Sequence, residues 1–386
     1  MLRSIKAALC FAFLFSFAFT QQPEAAITDT MSFEDYEPIS TLVVPENPVQ
    51  SARFPFIDVH SHQWNMPEQD LQQLARQMDS LNMAVMVNLS GRGFVRKMGP
   101  DGKPRYVFRD RGFLKNSIKA AEKAIPGRVI VFTNIAITGI DKPDWQERTL
   151  RELEEDVANG AKGLKIYKSL GLTDVDSKGN RIAVDDPRID PIWQRCGELG
   201  IPVLIHSGEP ANFWKPKNKY NERWLELKQK PERYRNPKLV PPFEQVMGEQ
   251  QNVFRKHPKT TFINAHLGWM GNDLAGLGKQ LDEFPNVYTE IGAVLAELGR
   301  QPRFAKQWFI KYQDRVMFGK DLFRPKEFFY YFRTLETADE YFPYYRKRHA
   351  FWRLYGMDLP DDVLKKLYYK NALKVIPGID SSRFPE

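Results

Sequence analysis

Four of the six histidines fall at the ends of predicted strands: His60 and His62 in FIDVHSH, His206 in VLIHSGEP and His266 in FINAHLGW. Side chains two apart on a strand project to the same face, so His60 and His62 can aim at one ion from a single rigid element. Asp321, in VMFGKDLF, adds a carboxylate. His60, His62, His206 and Asp321 form a mixed nitrogen and oxygen donor set suited to one divalent ion, zinc or another transition metal. An ion held with one position open lowers the pKa of bound water to about 7, which is the chemistry of hydrolysis. Asp321 has a second assignment, as the base that takes a proton from attacking water and returns it to the leaving group. His266 is either a further ligand or a base or electrophile acting on the substrate oxygen.

Other residues qualify this set. Asp58 shares the parity of His60 one pleat deeper, the position from which a carboxylate orients a ligand histidine. Lys165, in GLKIYKSLGL, has three readings. It holds a substrate carboxylate, it forms a carbamate that bridges to a second metal, or it is an ordinary ion-paired lysine, with Lys168 as a nearby substitute. Glu209 and Glu290 either contact substrate or a ligand histidine, or pair with surrounding lysines and arginines. Trp214 belongs to an aromatic stretch that could wall the substrate. His257 ends a predicted helix before Pro258 and is structural; His349, in YRKRHAFW, reads as surface or lid.

Rigid elements must carry these groups. From Phe54 onward, short apolar runs alternate with helical patterns. The predicted strands cover 55–60, 83–89, 128–135, 161–167, 201–206, 260–266, 286–291 and 315–319, each followed by a helical segment. Eight such units close an α/β barrel of the TIM-like (β/α)8 type, whose sites lie at the C-terminal strand ends. An open doubly wound sheet is disfavoured because no glycine-rich turn follows the first strand. In a closed barrel the first and eighth strands are neighbours, which brings Asp321 beside His60 and His62. The stretch 208–241 after the fifth strand should overhang the same face, and a final helix, 361–376, closes the flank.

Composition sets the boundaries. The 386-residue chain opens with Arg3, Lys6 and an apolar run from Ala7 to Phe19, too short to span a bilayer and laid out as a secretory signal over 1–20. The expectation is an exported protein, periplasmic or secreted, without a membrane span after cleavage. Cys10 lies in that run, leaving Cys196 as the lone thiol and no internal disulfide. Residues 21–53 read as an extended arm and 54–378 as the barrel. The net charge is +8, but nine Lys or Arg against three Glu lie between Lys215 and Lys238 alone. That concentration is a solvated insertion or a loop attracting an anionic substrate, and no nucleic-acid signature accompanies it. The partner expected is a small molecule, carboxylated if Lys165 serves as its cation; a homo-oligomer is compatible with the chain.

The set Asp58-x-His60-x-His62, His206, His266 and FGKD ending at Asp321, followed by YYKNAL, resembles the amidohydrolase superfamily, specifically its amidohydrolase-related branch, over about residues 54–378. That branch includes aminocarboxymuconate-semialdehyde decarboxylase, aromatic-acid decarboxylases and lactonases. The resemblance implies one metal on His60, His62, His206 and Asp321, with His266 as catalytic partner and no carbamate on Lys165. The chain departs from the branch at Lys320, where Ser or Thr is common, and in its long basic loop. The function expected is hydrolysis of a lactone, ester or amide; non-oxidative decarboxylation on the same scaffold is the alternative, and a non-catalytic ligand-binding barrel a third.

Overall fold

The computed structural model describes residues 31–98 and 104–386. The expected signal segment lies outside them. The described residues divide into two units, 31–40 and Thr41–Glu386. The described part of the first holds one turn, in which the Ser32 carbonyl accepts from the amides of Asp35 and Tyr36.

The second unit is the barrel. Its strands are β1 Phe56–Ser61, β2 Met83–Asn88, β3 in two pieces (Val129–Val131 and Thr133–Asn134), β4 Leu164–Ile166, β5 Val203–Ile205, β6 Phe262–Asn264, β7 Val287–Glu290 and β8 Val316–Met317. All the barrel ladders are parallel. The break in β3 is a change of partner: the Phe132 amide donates to Asn88 of β2, and the next amide, Thr133, donates to Gly163 before β4. The circle closes between β8 and β1, where the Val59 amide donates to Phe318 at 3.0 Å and the Asp321 amide to the His60 carbonyl at 2.7 Å. Every residue of β1 is buried, as expected where helices cover a parallel sheet.

The helices explain that burial. In α1, Leu71–Ser80, the buried positions Leu71, Leu74, Ala75 and Met78 follow the helical spacing that makes one apolar stripe. Asp70 caps its start, accepting from the Gln73 amide at 2.8 Å, a contact worth about 1 kcal/mol. The closing helix runs from Asp361 to Val375 with a π-turn at Lys366–Lys370. Leu367 in that turn accepts from the Phe318 amide at 2.8 Å, and Asn371 donates to Val316 at 2.8 Å, so this helix holds β8 in place.

Two features depart from the sequence expectations, a hairpin after β2 and the structured stretch 208–241. An antiparallel hairpin, Phe94–Met98 with Pro104–Phe108, follows β2 where none was predicted. Residues 41–53 are irregular but held, Asn47 to Asp339 at 2.7 Å and Arg53 to Asp361 at 2.7 Å. The stretch 208–241 is structured, with a helix at Trp224–Gln229, and spends much of its charge internally. Arg223 and Arg233 pair with Glu226, and Arg235 with Glu209. Lys217 and Lys219 lie over the rings of Tyr234 and Tyr220, while Arg223 and Glu226 are buried, so part of this charge is folded inward rather than solvated.

Candidate active site

His60 and His62, on one face at the end of β1, and Asp321, just past β8, bring their donor atoms within 4.8 Å of one another. An Asp321 carboxylate oxygen lies 3.6 Å from His60 Nε2 and 3.7 Å from His62 Nε2. Asp321 itself has φ of 83°, a left-handed backbone that turns its side chain toward β1 while its amide bonds to His60. His206, after β5, faces the same space but stands outside this tight group; its Nε2 is buried without a hydrogen-bond partner.

Hydrogen bonds on the far side of each ring fix which nitrogen is free. His60 Nδ1 lies 2.9 Å from Glu290 Oε1, so its proton points there and Nε2 keeps the lone pair. His62 Nδ1 lies 2.7 Å from Ser90 Oγ. The Tyr167 hydroxyl donates to the Leu89 carbonyl, so Ser90 donates to Tyr167 and accepts from His62. His62 Nε2 is therefore also a free lone pair. His266 donates from Nδ1 to the Gly292 carbonyl at 2.7 Å and presents Nε2. These tautomers follow from acceptors that cannot donate.

Glu290 organises this layer. Besides His60 it accepts from the amides of His266 at 2.6 Å and Gly292 at 2.5 Å, and it is fully buried at the end of β7. His266 begins a left-handed turn, with φ near 55° at His266, Leu267, Gly268 and Trp269, and its ring stacks on Trp269 at 4.5 Å.

Burial pushes the His60, His62 and His206 rings down, His62 to about 4, with the charge of Lys165 adding to the effect. They are neutral at pH 7, the form that donates to a metal. Burial pushes Asp321 up, but the surrounding imidazoles and Lys165 outweigh it and hold the carboxyl well below its usual range. The site thus presents an ionised carboxylate among neutral rings. Lys165, 1% exposed, has no hydrogen-bond partner on Nζ, and burial lowers it to about 7 against the pull of Glu290 and Asp321.

Several expected contacts take a different form. Asp58 holds backbone rather than a ring: Oδ1 accepts from the amides of His60 and Lys320, both at 3.0 Å, while burial raises the carboxyl to about 8. The role expected of it, orienting a ligand histidine, falls to Glu290. Glu209 pairs with Lys168 at 2.5 Å and Arg235 at 2.7 Å, the ion-pair reading. Trp214 donates to the Pro241 carbonyl at 2.8 Å and packs on Phe243, bracing its own loop. Lys320 turns to Glu327 and the Leu322 carbonyl. His349 is fully buried rather than at the surface, with Arg223 and Glu226 flanking its Nε2. Ser90, Tyr167 and Gly292 carried no signal beyond their places at or after strand ends.

The family model described as amidohydrolase matches residues 57–378. Among solved structures, the chain is similar to an uncharacterized TIM-barrel protein from Bordetella bronchiseptica, with 15% identity, 83% of this chain and 98% of that chain covered, and a TM-score of 0.48. It is similar to 2,6-dihydroxybenzoate decarboxylase from Rhizobium, at 12% identity over 85% and 98% of the two chains, TM-score 0.44. A third is dihydroxybenzoic acid decarboxylase from Polaromonas sp. JS666, with bound manganese and 2-nitroresorcinol, at 13% identity over 83% and 96%, TM-score 0.47. No curated protein sequence matches the chain.

Proposed function

Because the chain belongs to the amidohydrolase family over residues 57–378, we propose that this enzyme is an exported, metal-dependent hydrolase of a lactone, ester or amide. The observation that supports it most is the ionised Asp321 carboxylate 3.6 and 3.7 Å from two neutral imidazole nitrogens. The residues fit a divalent cation: His60 Nε2 and His206 Nε2 are buried with no hydrogen-bond partner, a cost that a cation between them would remove. His60, His62, His206 and Asp321 would hold it, and nitrogen with carboxylate oxygen suits zinc.

When bound, the cation polarises a substrate carbonyl and brings the pKa of water toward about 7. Asp321, ionised, receives the proton of the attacking water and returns it to the leaving group. His266 presents Nε2 to the reacting oxygen, and Trp269 stacked on its ring keeps solvent off that side. Glu290 keeps His60 and the His266 backbone aimed. Lys165, protonated in part near pH 7, offers a cation to a substrate carboxylate; a carbamate bridging to a second metal is the competing use of the same nitrogen.

Elemental analysis of the purified protein, followed by assay of lactones, esters, amides and aromatic acids for acid production and carbon dioxide release, tests this reading. A bound divalent metal with hydrolytic turnover supports it, whereas carbon dioxide release without hydrolysis or a protein without bound metal sinks it. Export rests on the charged and apolar residues 3–19, and N-terminal sequencing of the mature protein checks it: an intact Met1 rejects cleavage.

A further inference from the structure

The segment after β8 carries a cation that the proposed mechanism does not use. Phe342–Pro343 pairs antiparallel with Arg353–Leu354, closing the base of a loop with Arg346 near its middle. Arg346 is partly buried, yet its guanidinium forms no ion pair or hydrogen bond with any described residue. Its side chain lies over the Tyr345 ring at 5.4 Å. Its cationic neighbours each have an acid partner: Arg223 pairs with Glu226 and Glu297, Arg348 shares Glu226, and Lys320 pairs with Glu327.

Two phenols share the place. Tyr344 and Tyr345 stand 4.6 Å apart between ring centroids, and both hydroxyls are buried. The Tyr345 hydroxyl approaches those of Tyr344 and Tyr331, but no well-directed hydrogen bond joins them. A buried hydroxyl left unpaired costs about 1–3 kcal/mol, so two beside an unpaired guanidinium leave a cluster of donors without an acceptor. The cluster adjoins the metal end of the barrel. Tyr331 accepts from the Ala293 amide at 3.0 Å, one residue beyond the Gly292 carbonyl that receives the His266 proton. Lys320, next to Asp321, lies 5.6 Å from the Tyr345 ring, and the Asp321 charge acts on Arg346.

We propose that Arg346, with the hydroxyls of Tyr344 and Tyr345, receives a carboxylate of the substrate at a point remote from the bond that is cleaved. The proposal rests on the functional reading above and narrows its substrate class to carboxylated lactones, esters or amides. A guanidinium presents parallel N–H donors that match the two oxygens of a carboxylate, and phenol hydroxyls add donors without adding charge.

Titration of benzoate and of its neutral isostere benzamide into the full protein as purified tests it by calorimetry. Benzoate should bind wild type at least about tenfold more tightly than benzamide, with R346Q losing about tenfold or more for benzoate only. R346K should recover part of the loss, and R303Q, on the exposed side of the helix Pro302–Lys311, should retain the preference. Equal binding of the two probes to wild type, unchanged benzoate affinity in R346Q, or an equal loss in R303Q would each overturn the assignment. A matching melting temperature and metal content in R346Q shows that the variant is folded. Turnover is not read, so an enzyme inactive on every candidate substrate would sink the hydrolase reading while leaving this result separate.

Discussion

Glu290, at the end of the seventh strand, accepts the Nδ1 proton of His60, on the first strand, across 2.9 Å of buried space. One carboxylate thereby settles which nitrogen of His60 is free, while its other bonds hold the backbone that positions His266.

Replacement of Glu290 by Gln should therefore weaken metal binding by about 10–100-fold, the usual effect of losing a partner behind a ligand histidine. Metal affinity measured by competition with a chelator checks this. Unchanged affinity with unchanged turnover would show that His60 needs no such orientation.

Asp321→Asn keeps the shape of the side chain and removes its charge. The expected result is a fall in kcat of about 100- to 10,000-fold, the range for loss of a proton-transfer group, with some loss of metal. Measuring turnover at saturating metal separates the two effects. Full activity in the loaded variant would remove Asp321 from proton transfer.

Gly319→Ala offers a steric probe. A Cβ at this position would meet Glu290 Oε2 and the His60 side chain, both fixed parts of the site. The variant should lose metal affinity and activity by at least about tenfold, by moving Glu290 away from His60. A crystal structure with both residues undisturbed would contradict this.

His349 sets an acid limit on stability. Burial first, and then the charge of Arg223, pushes its pKa down to about 3 although Glu226 pulls the other way. The folded state thus binds fewer protons than the unfolded one between about 6.5 and about 3, so stability is full above that window and falls through it. Glu226 lies well below the usual range despite its burial, through His349 and Arg223, and adds a loss beginning only below about 4.5. His349→Gln should flatten the melting temperature between pH 6 and pH 4, within the predicted window. A variant with the wild-type slope would place the acid sensitivity elsewhere.

Much of the barrel was legible because its signals are local. Apolar runs at regular intervals gave all eight strands, and the parity of His60 and His62 required both rings on one face. The adjacency of Asp321 to β1 followed from closure. Three kinds of information were not local. Glu290 was read as a contact for substrate or for a histidine, but its partner depends on β7 and β1 meeting across the interior. The hairpin at 94–108 and the pairing of 342–343 with 353–354 rest on short, weakly patterned segments. Arg346 sits in YRKRHAFW among other basic residues, and only folding shows that it lacks an acid partner while Arg348 has one.

The run of left-handed residues from His266 to Trp269 has one more effect. A free chain seldom visits such a turn, since each non-glycine residue there costs about 1–2 kcal/mol. Tertiary contacts must impose it, so the aim of the His266 imidazole belongs to the intact barrel and not to its own stretch of sequence. Mild warming or dilute denaturant that loosens those contacts should misdirect the ring, and activity should fade at a lower temperature than the one at which the strands come apart.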